Sequence, residues 1–122
     1  MSAKSSALAL LETLEKFRSK VNGDSRLTNI LRGWEPVIML EALNTQWKRY
    51  LPVHECHITE ITSDFKDASH VVRLRSSEET LIAIFEGRYN PVEAFLNGEL
   101  ELFATDKDQL KLDAISLLLW GI

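Results

Sequence analysis

The chain has 122 residues, enough for one domain with a single core, and its 45% hydrophobic and 26% charged residues are those of an ordinary globular protein. That balance excludes collagen-like, disordered and low-complexity chains. A net charge of −4 with no Lys/Arg cluster argues against a nucleic-acid partner. A single cysteine, Cys56, excludes an internal disulfide framework and suits a reducing cytoplasm. Residues Met1 to Leu14 lack the basic start and small-residue cleavage site of a signal peptide. The longest apolar runs, Val37–Leu40 and Leu117–Trp120, fall far short of the roughly 20 residues that span a bilayer. The expectation is a single cytoplasmic domain, residues 1–122.

Ala7, Leu10, Leu11, Leu14, Phe17 and Val21 recur at helical spacing, with Glu12, Lys16, Arg18 and Lys20 on the polar side. Asn22-Gly23 reads as the left-handed stop of this first helix. Asp24 or Ser25 then caps a short second helix carrying Leu27, Ile30 and Leu31, which Gly33 ends. After Pro36 the period changes to two. Val37–Leu40 is an apolar run, and Trp47, Arg49, Leu51 and Val53 share one side of the next strand. Cys56, Ile58 and Glu60 oppose His57, Thr59 and Ile61, and His70–Leu74 follows the polar turns Ser63-Asp64 and Lys66-Asp67. This predicts an antiparallel meander, with Pro52 at an edge or a bulge because it lacks an N–H.

Helix returns with a Ser76/Glu79 capping box and Leu81, Ile82 and Phe85, stopped by Gly87. Asn90-Pro91 opens another helix, with Val92, Phe95 and Leu96 as its apolar side, ending at Gly98. Glu99–Ala104 alternates as a strand. An Asp106/Gln109 capping box then starts a last helix with Leu110, Ala114, Leu117 and Leu118 inward. The order predicts an α+β fold, a mostly antiparallel five-stranded sheet covered by helices.

Chemistry is thinly written. His54-Glu55-Cys56-His57 holds reactive side chains, but a zinc site would need further ligands, such as His70 or Glu60, and no C-x-x-C or H-E-x-x-H motif accompanies it. Cys56 with a His base has the residue types of a nucleophilic pair but nothing that would activate a thiolate. Glu78, Glu79, Glu99 and Glu101 read as helix-terminal and solvated charges, and no glycine-rich phosphate loop is present. The sequence therefore predicts no catalytic residue, no metal and no cofactor. What remains is apolar. Ile115, Leu117, Leu118, Leu119 and Trp120 follow one another on one helix, so some of Leu119, Trp120 and Ile122 face away from the sheet. A helix buried on two sides, a ligand-tunnel mouth, a dimer contact and transient membrane contact all suit that surplus.

The segment from Phe85 to Leu102, with Gly87, Asn90-Pro91, Ala94-Phe95, Gly98 and alternating Leu100 and Leu102, resembles the signature of sterol carrier protein 2-like (SCP-2) domains. The preceding strand, upstream helix and meander fit that family's layout, while Ala104-Thr105-Asp106 stands where a glycine-containing turn is common. The resemblance implies a non-enzymatic carrier with an apolar tunnel between sheet and helices, for a fatty acid, sterol, acyl-CoA or isoprenoid quinone. It also allows an accessory domain to a lipid- or quinone-related enzyme. By that analogy and by apolar placement, Met39, Leu81, Phe85, Phe95, Leu96, Leu102, Leu110, Leu117 and Leu118 line the pocket. Arg73, Arg75, Arg88 or Lys111 would neutralise an acidic head group. An interaction or dimerisation module using the C-terminal helix is the alternative. A dry apolar cavity of about 300 Å³ would cost on the order of 7 kcal/mol, comparable with a whole domain's stability. The tunnel is therefore expected to be either filled or collapsed.

Overall fold

The computed structural model describes residues 3–66 and 68–122, with side chains described from Leu8 onward. Ala7 of the first predicted stripe and Asp67 of a predicted turn fall outside the side chains described. The chain forms α1 (Ala3–Gly23), α2 (Ser25–Leu31), β1 (Val37–Ala42), β2 (Trp47–His54), β3 (His57–Ile58) and β4 (Val71–Ser76). It continues as α3 (Glu78–Phe85), α4 (Pro91–Leu96), β5 (Glu101–Phe103) and α5 (Asp106–Trp120). The sheet order is β3-β2-β1-β4-β5, antiparallel throughout except for the parallel β1–β4 pair. The predicted meander therefore holds for β1 to β3 only. β4 then crosses to the far side of β1.

Strand alternation divides the sheet into two faces. Ile38, Leu40 and Ala42 of β1 and Leu74 of β4 turn toward the helices and join Leu10, Leu14, Phe17 and Val21 of α1 in one core cluster. Trp47 and Arg49 lie opposite Ala42 and Leu40, so they share this side with Leu51 and Val53, as the sequence alternation predicts. On the other face runs a cross-strand row, Tyr50, Met39, Arg73 and Phe103, in neighbouring registers. Beside it Arg75 Nε donates to Glu41 at 3.2 Å and its Nη1 to Glu101 at 2.8 Å.

Two turns depart from the sequence reading. His54 pairs with His57, so Glu55 and Cys56 are the two central residues of a tight hairpin, both with positive φ, 48° and 68°. Cys56 thus sits in a turn, not on a strand face. Such a turn has the twist a hairpin needs but carries no Asn-Gly signal here. Its conformational cost is offset locally, because Glu35 Oε2 accepts the Glu55 N–H at 2.8 Å. Beyond it, Leu51 and Pro52 face three residues, 59–61, between the Val53–Ile58 and Tyr50–Thr62 pairs. That is a one-residue bulge beside the missing N–H of Pro52.

The caps of two helices lie one residue away from those expected. Ser77, not Ser76, caps α3 by accepting from Thr80 N–H. Thr105 and Asp108, not Asp106 and Gln109, form the capping box of α5. The buried stripe of α5 lies two residues, about 200° of turn, from the one expected. Asp108, Leu112, Ile115 and Ser116 face inward, and Leu110 and Leu117 face solvent. In α4 the buried pair is Pro91 and Ala94, whose small side chain lets that helix approach, while Phe95 and Leu96 are exposed. Ala94 thus takes the buried place that the sequence reading gave to Phe95 and Leu96.

The β3 edge is closed by a side chain. Asn22 Oδ1 accepts the Ile58 N–H at 2.9 Å and its Nδ2 donates to Ile58 O at 2.9 Å, so the amide takes the place of a further strand. Arg18 reinforces it, donating to Ile58 O at 3.0 Å and Thr59 O at 2.8 Å. Gly23 has no positive φ, so Asn22-Gly23 serves as this clasp and not as a left-handed stop. Asn22→Ala is expected to cost about 2 kcal/mol, two neutral hydrogen bonds. Hydrogen exchange should report it as a selective loss of protection at the Ile58 amide.

Candidate functional site

Between helices and sheet lies a cavity of about 20 Å³, bounded by Phe17, Leu74, Ile84, Phe85, Pro91, Leu112, Ile115, Ser116 and Trp120. It has room for about one water molecule. Four helices and β4 meet there, so the walls come from the whole length of the chain. On the outer side of α1 and α3 runs an open groove of about 380 Å³, lined by Ala9, Glu12, Thr13, Lys16, Phe17, Lys20, Ile82, Phe85 and Glu86. Phe17 and Phe85 line both spaces. Their rings meet edge to face, with centroids 4.9 Å apart at 80°, and form the partition between groove and interior.

Trp120 closes the C-terminal end of the interior. Its ring stacks on Phe17, centroids 5.9 Å apart and 29° between planes. It also lies flat against the backbone of Gly87, where a Cβ would overlap its Cγ, Cδ1 and Cδ2. The indole Nε1–H is buried and has no hydrogen-bond partner among the described residues. Of Leu119, Trp120 and Ile122, some of which the sequence turns away from the sheet, Trp120 is part of the cavity wall.

Of the nine side chains expected to line a pocket, Phe85 alone lines this cavity. Leu81 and Leu102 belong to the surrounding core, and Leu118 packs against it half-buried. Met39 is buried on the opposite face of the sheet, paired with Tyr50 and Arg73. Phe95, Leu96, Leu110 and Leu117 are exposed, Leu96 by 76%, Leu110 by 69% and Leu117 by 62%. The phase error in α5 accounts for Leu110 and Leu117, and the close approach at Ala94 accounts for Phe95 and Leu96. The Thr105-x-x-Asp108 capping box is the sequence signal for the start of α5, and Leu112, Ile115 and Ser116 follow at i+4, i+7 and i+8 from the buried Asp108. None of the four cations considered for a head group reaches the cavity. Arg73 lies over Phe103, Arg75 bridges Glu41 and Glu101, Arg88 sits 3.5 Å from Glu86, and Lys111 donates to Ile30 O at 2.5 Å.

The histidines do not gather. His54 lies 3.2 Å from Glu35, His57 Nδ1 is 2.8 Å from Glu55 O, and His70 is held by Asp108. Among the described residues no three of His, Cys, Asp and Glu converge where a metal ion could sit. Asp108 is 1% exposed and accepts from Trp34 Nε1 at 2.7 Å, His70 Nε2 at 2.9 Å and Thr105 N at 3.0 Å. Burial pushes its carboxyl up. The donors from Trp34, the Thr105 backbone, His70 and the Thr105 hydroxyl together outweigh burial and hold it below the ordinary 3.8.

The architecture has solved counterparts. The sterol carrier protein domain 2 of Helicoverpa armigera superposes with a TM-score of 0.68 over 93% of this chain and 90% of its own, at 15% identity. The fold is that of sterol carrier protein 2 domains. Sterol carrier protein 2 like 2 from Aedes aegypti matches with a TM-score of 0.62, covering 88% of this chain and 95% of that one at 15% identity. The inverting sec-alkylsulfatase Pisa1 of a Pseudomonas species contains a similar portion, with a TM-score of 0.56 at 19% identity over 78% of this chain. This chain spans only 14% of that enzyme. No protein-family model and no curated protein matches in sequence. In this sterol carrier fold the Phe17–Phe85 partition and the Trp120 closure are side-chain features of the present chain. No helix among the described residues is long and apolar enough to cross a membrane.

Proposed function

We propose that the protein is a non-enzymatic binder of an apolar small molecule, taken into the space between helices and sheet. The observation that carries this reading is the Phe17–Phe85 pair, an aromatic partition shared by an open groove and an apolar cavity. Two rings in edge contact can part by rotation, whereas a continuous wall would need the helices to separate. Burial of the ligand's apolar surface, at about 25 cal/mol per Å², would supply the affinity and offset the repacking. The sterol carrier fold of the matched structures supports the same reading.

The test is uptake of the neutral fluorophore 1-aminoanthracene, together with native mass spectrometry of the purified protein and extraction of any bound lipid. Ser116→Leu adds bulk to the cavity wall and is expected to weaken uptake about tenfold or more, a loss of roughly 1.4 kcal/mol. Leu110→Ala and Leu117→Ala, on the solvent side of the same helix, should bind as the parent does. A parent protein that neither takes up the fluorophore nor carries an extractable apolar molecule sinks the reading.

The exposed Phe95, Leu96, Leu110 and Leu117 favour a second reading, in which α4 and α5 contact another protein chain. Light scattering of the parent against a Leu110→Glu/Leu117→Glu variant decides it for self-association: equal masses remove a homodimer through this surface.

A further inference from the structure

A buried N–H without an acceptor costs about 1–3 kcal/mol, and native structures rarely leave one without a reason. Trp120, whose side chain lines the interior cavity, carries such a group in its indole Nε1–H. Its ring is held from two sides, by the stack on Phe17 and by the bare backbone of Gly87. Turning to bring the N–H out to solvent would forfeit both contacts.

We propose that the molecule bound between helices and sheet carries a neutral carbonyl on an apolar body, a ketone, ester or quinone, received by Trp120 Nε1–H. This rests on the binding function proposed above and names the ligand class of the same site. A plain hydrocarbon would leave the donor unpaired. A carboxylate would satisfy it but would bring a full charge among side chains that include no cation; the nearest groove lysines, Lys16 and Lys20, line the outer side of the Phe17–Phe85 partition. An unpaired charge in such surroundings costs far more than one hydrogen bond returns. A hydroxyl can accept, but it brings a proton that needs an acceptor of its own, and among the described residues Ser116 Oγ is the one side-chain oxygen this wall offers it. A carbonyl asks only for what Trp120 offers.

The experiment uses three compounds with one carbon skeleton: 1-tetralone, tetralin, and the anion of tetralin-1-carboxylic acid. Each is titrated into ¹⁵N-labelled protein while the indole N–H signals of Trp34, Trp47 and Trp120 are followed. The expected result is saturable binding of 1-tetralone with a downfield shift of the Trp120 indole proton, and binding of tetralin without that shift. Trp120→Phe keeps the ring on Phe17 and is expected to weaken 1-tetralone about fivefold or more, the worth of one neutral hydrogen bond, while tetralin stays within about twofold. If both compounds bind and neither the indole proton nor Trp120→Phe tells them apart, the carbonyl assignment is overturned and the apolar site stands. Tighter binding of the anion than of the ketone overturns the neutral class. If none of the three binds, the binding function falls and this assignment with it. The indole shift is read on the unaltered protein, so the test survives a variant that fails to fold.

Discussion

Gly87→Ala is expected to destabilise the protein by about 3 kcal/mol or more, against about 1 kcal/mol for Gly98→Ala. Both glycines end helices with positive φ, 84° and 75°, so an alanine costs about 1–2 kcal/mol in backbone strain at either. Only at Gly87 does the new methyl also overlap another side chain, the Trp120 pyrrole ring; around Gly98 nothing lies within 4 Å. Overpacking of this kind adds about 1–3 kcal/mol, and here the ring cannot retreat without leaving Phe17. Trp120→Leu in the Gly87→Ala background should return the cost toward the Gly98→Ala value. Urea denaturation of the parent, Gly87→Ala, Trp120→Leu and the double variant measures the coupling as a double-mutant cycle. Equal costs at Gly87 and Gly98 would refute the role given to Trp120.

The second large effect is expected at Asp108. Asp108→Ala strips the acceptor from Trp34 Nε1, His70 Nε2 and the Thr105 N–H at once, and should cost about 3–5 kcal/mol, the usual loss when one partner of a buried charged network is removed. Asp108→Asn keeps one carbonyl acceptor and should cost less. The carboxyl also gives acid sensitivity a definite sign. Its folded-state value lies below the ordinary 3.8, so the stabilisation is fully present above 3.8 and is lost as pH falls through the folded value. Thermal melting between pH 6 and pH 2.5 should therefore show a fall that is blunted in Asp108→Asn. An identical acid profile in the variant would assign the fall to other carboxylates.

These two sites mark where sequence reading succeeds and where it stops. The α1 stripe Leu10, Leu14, Phe17 and Val21 is buried as its spacing predicts, and so are Leu100 and Leu102, because burial repeated at one period is a local signal. Asn90, Pro91 and Gly98 stand at the helix ends that their chemistry demands. Glycine at 87 is legible as a stop, but its second reason is not, since Trp120 lies on another helix. The pocket residues failed for a related cause. The stripe read for α5 lies two residues from the buried one, because an apolar run such as Leu117–Trp120 satisfies several phases equally well. Met39 failed because the run Val37–Leu40 is apolar on both faces; the signal that places Met39 on the outer face is Glu41, two residues further along the same strand.

The parallel pairing of β1 with β4 bears on how the chain reaches this state. The two strands at the middle of the sheet are not joined by a hairpin, and the chain between them has already turned back as β2 and β3. The β1–β3 meander can zip up locally, on a microsecond scale for each hairpin, whereas β4 must find the exposed flank of β1 after a long excursion. Docking of β4 also brings α3, and with it Phe85, within reach of Phe17. The space between helices and sheet is therefore completed by the same long-range step that closes the sheet, and substitutions that slow the β1–β4 pairing should slow folding without changing the Phe17–Phe85 contact of the folded protein.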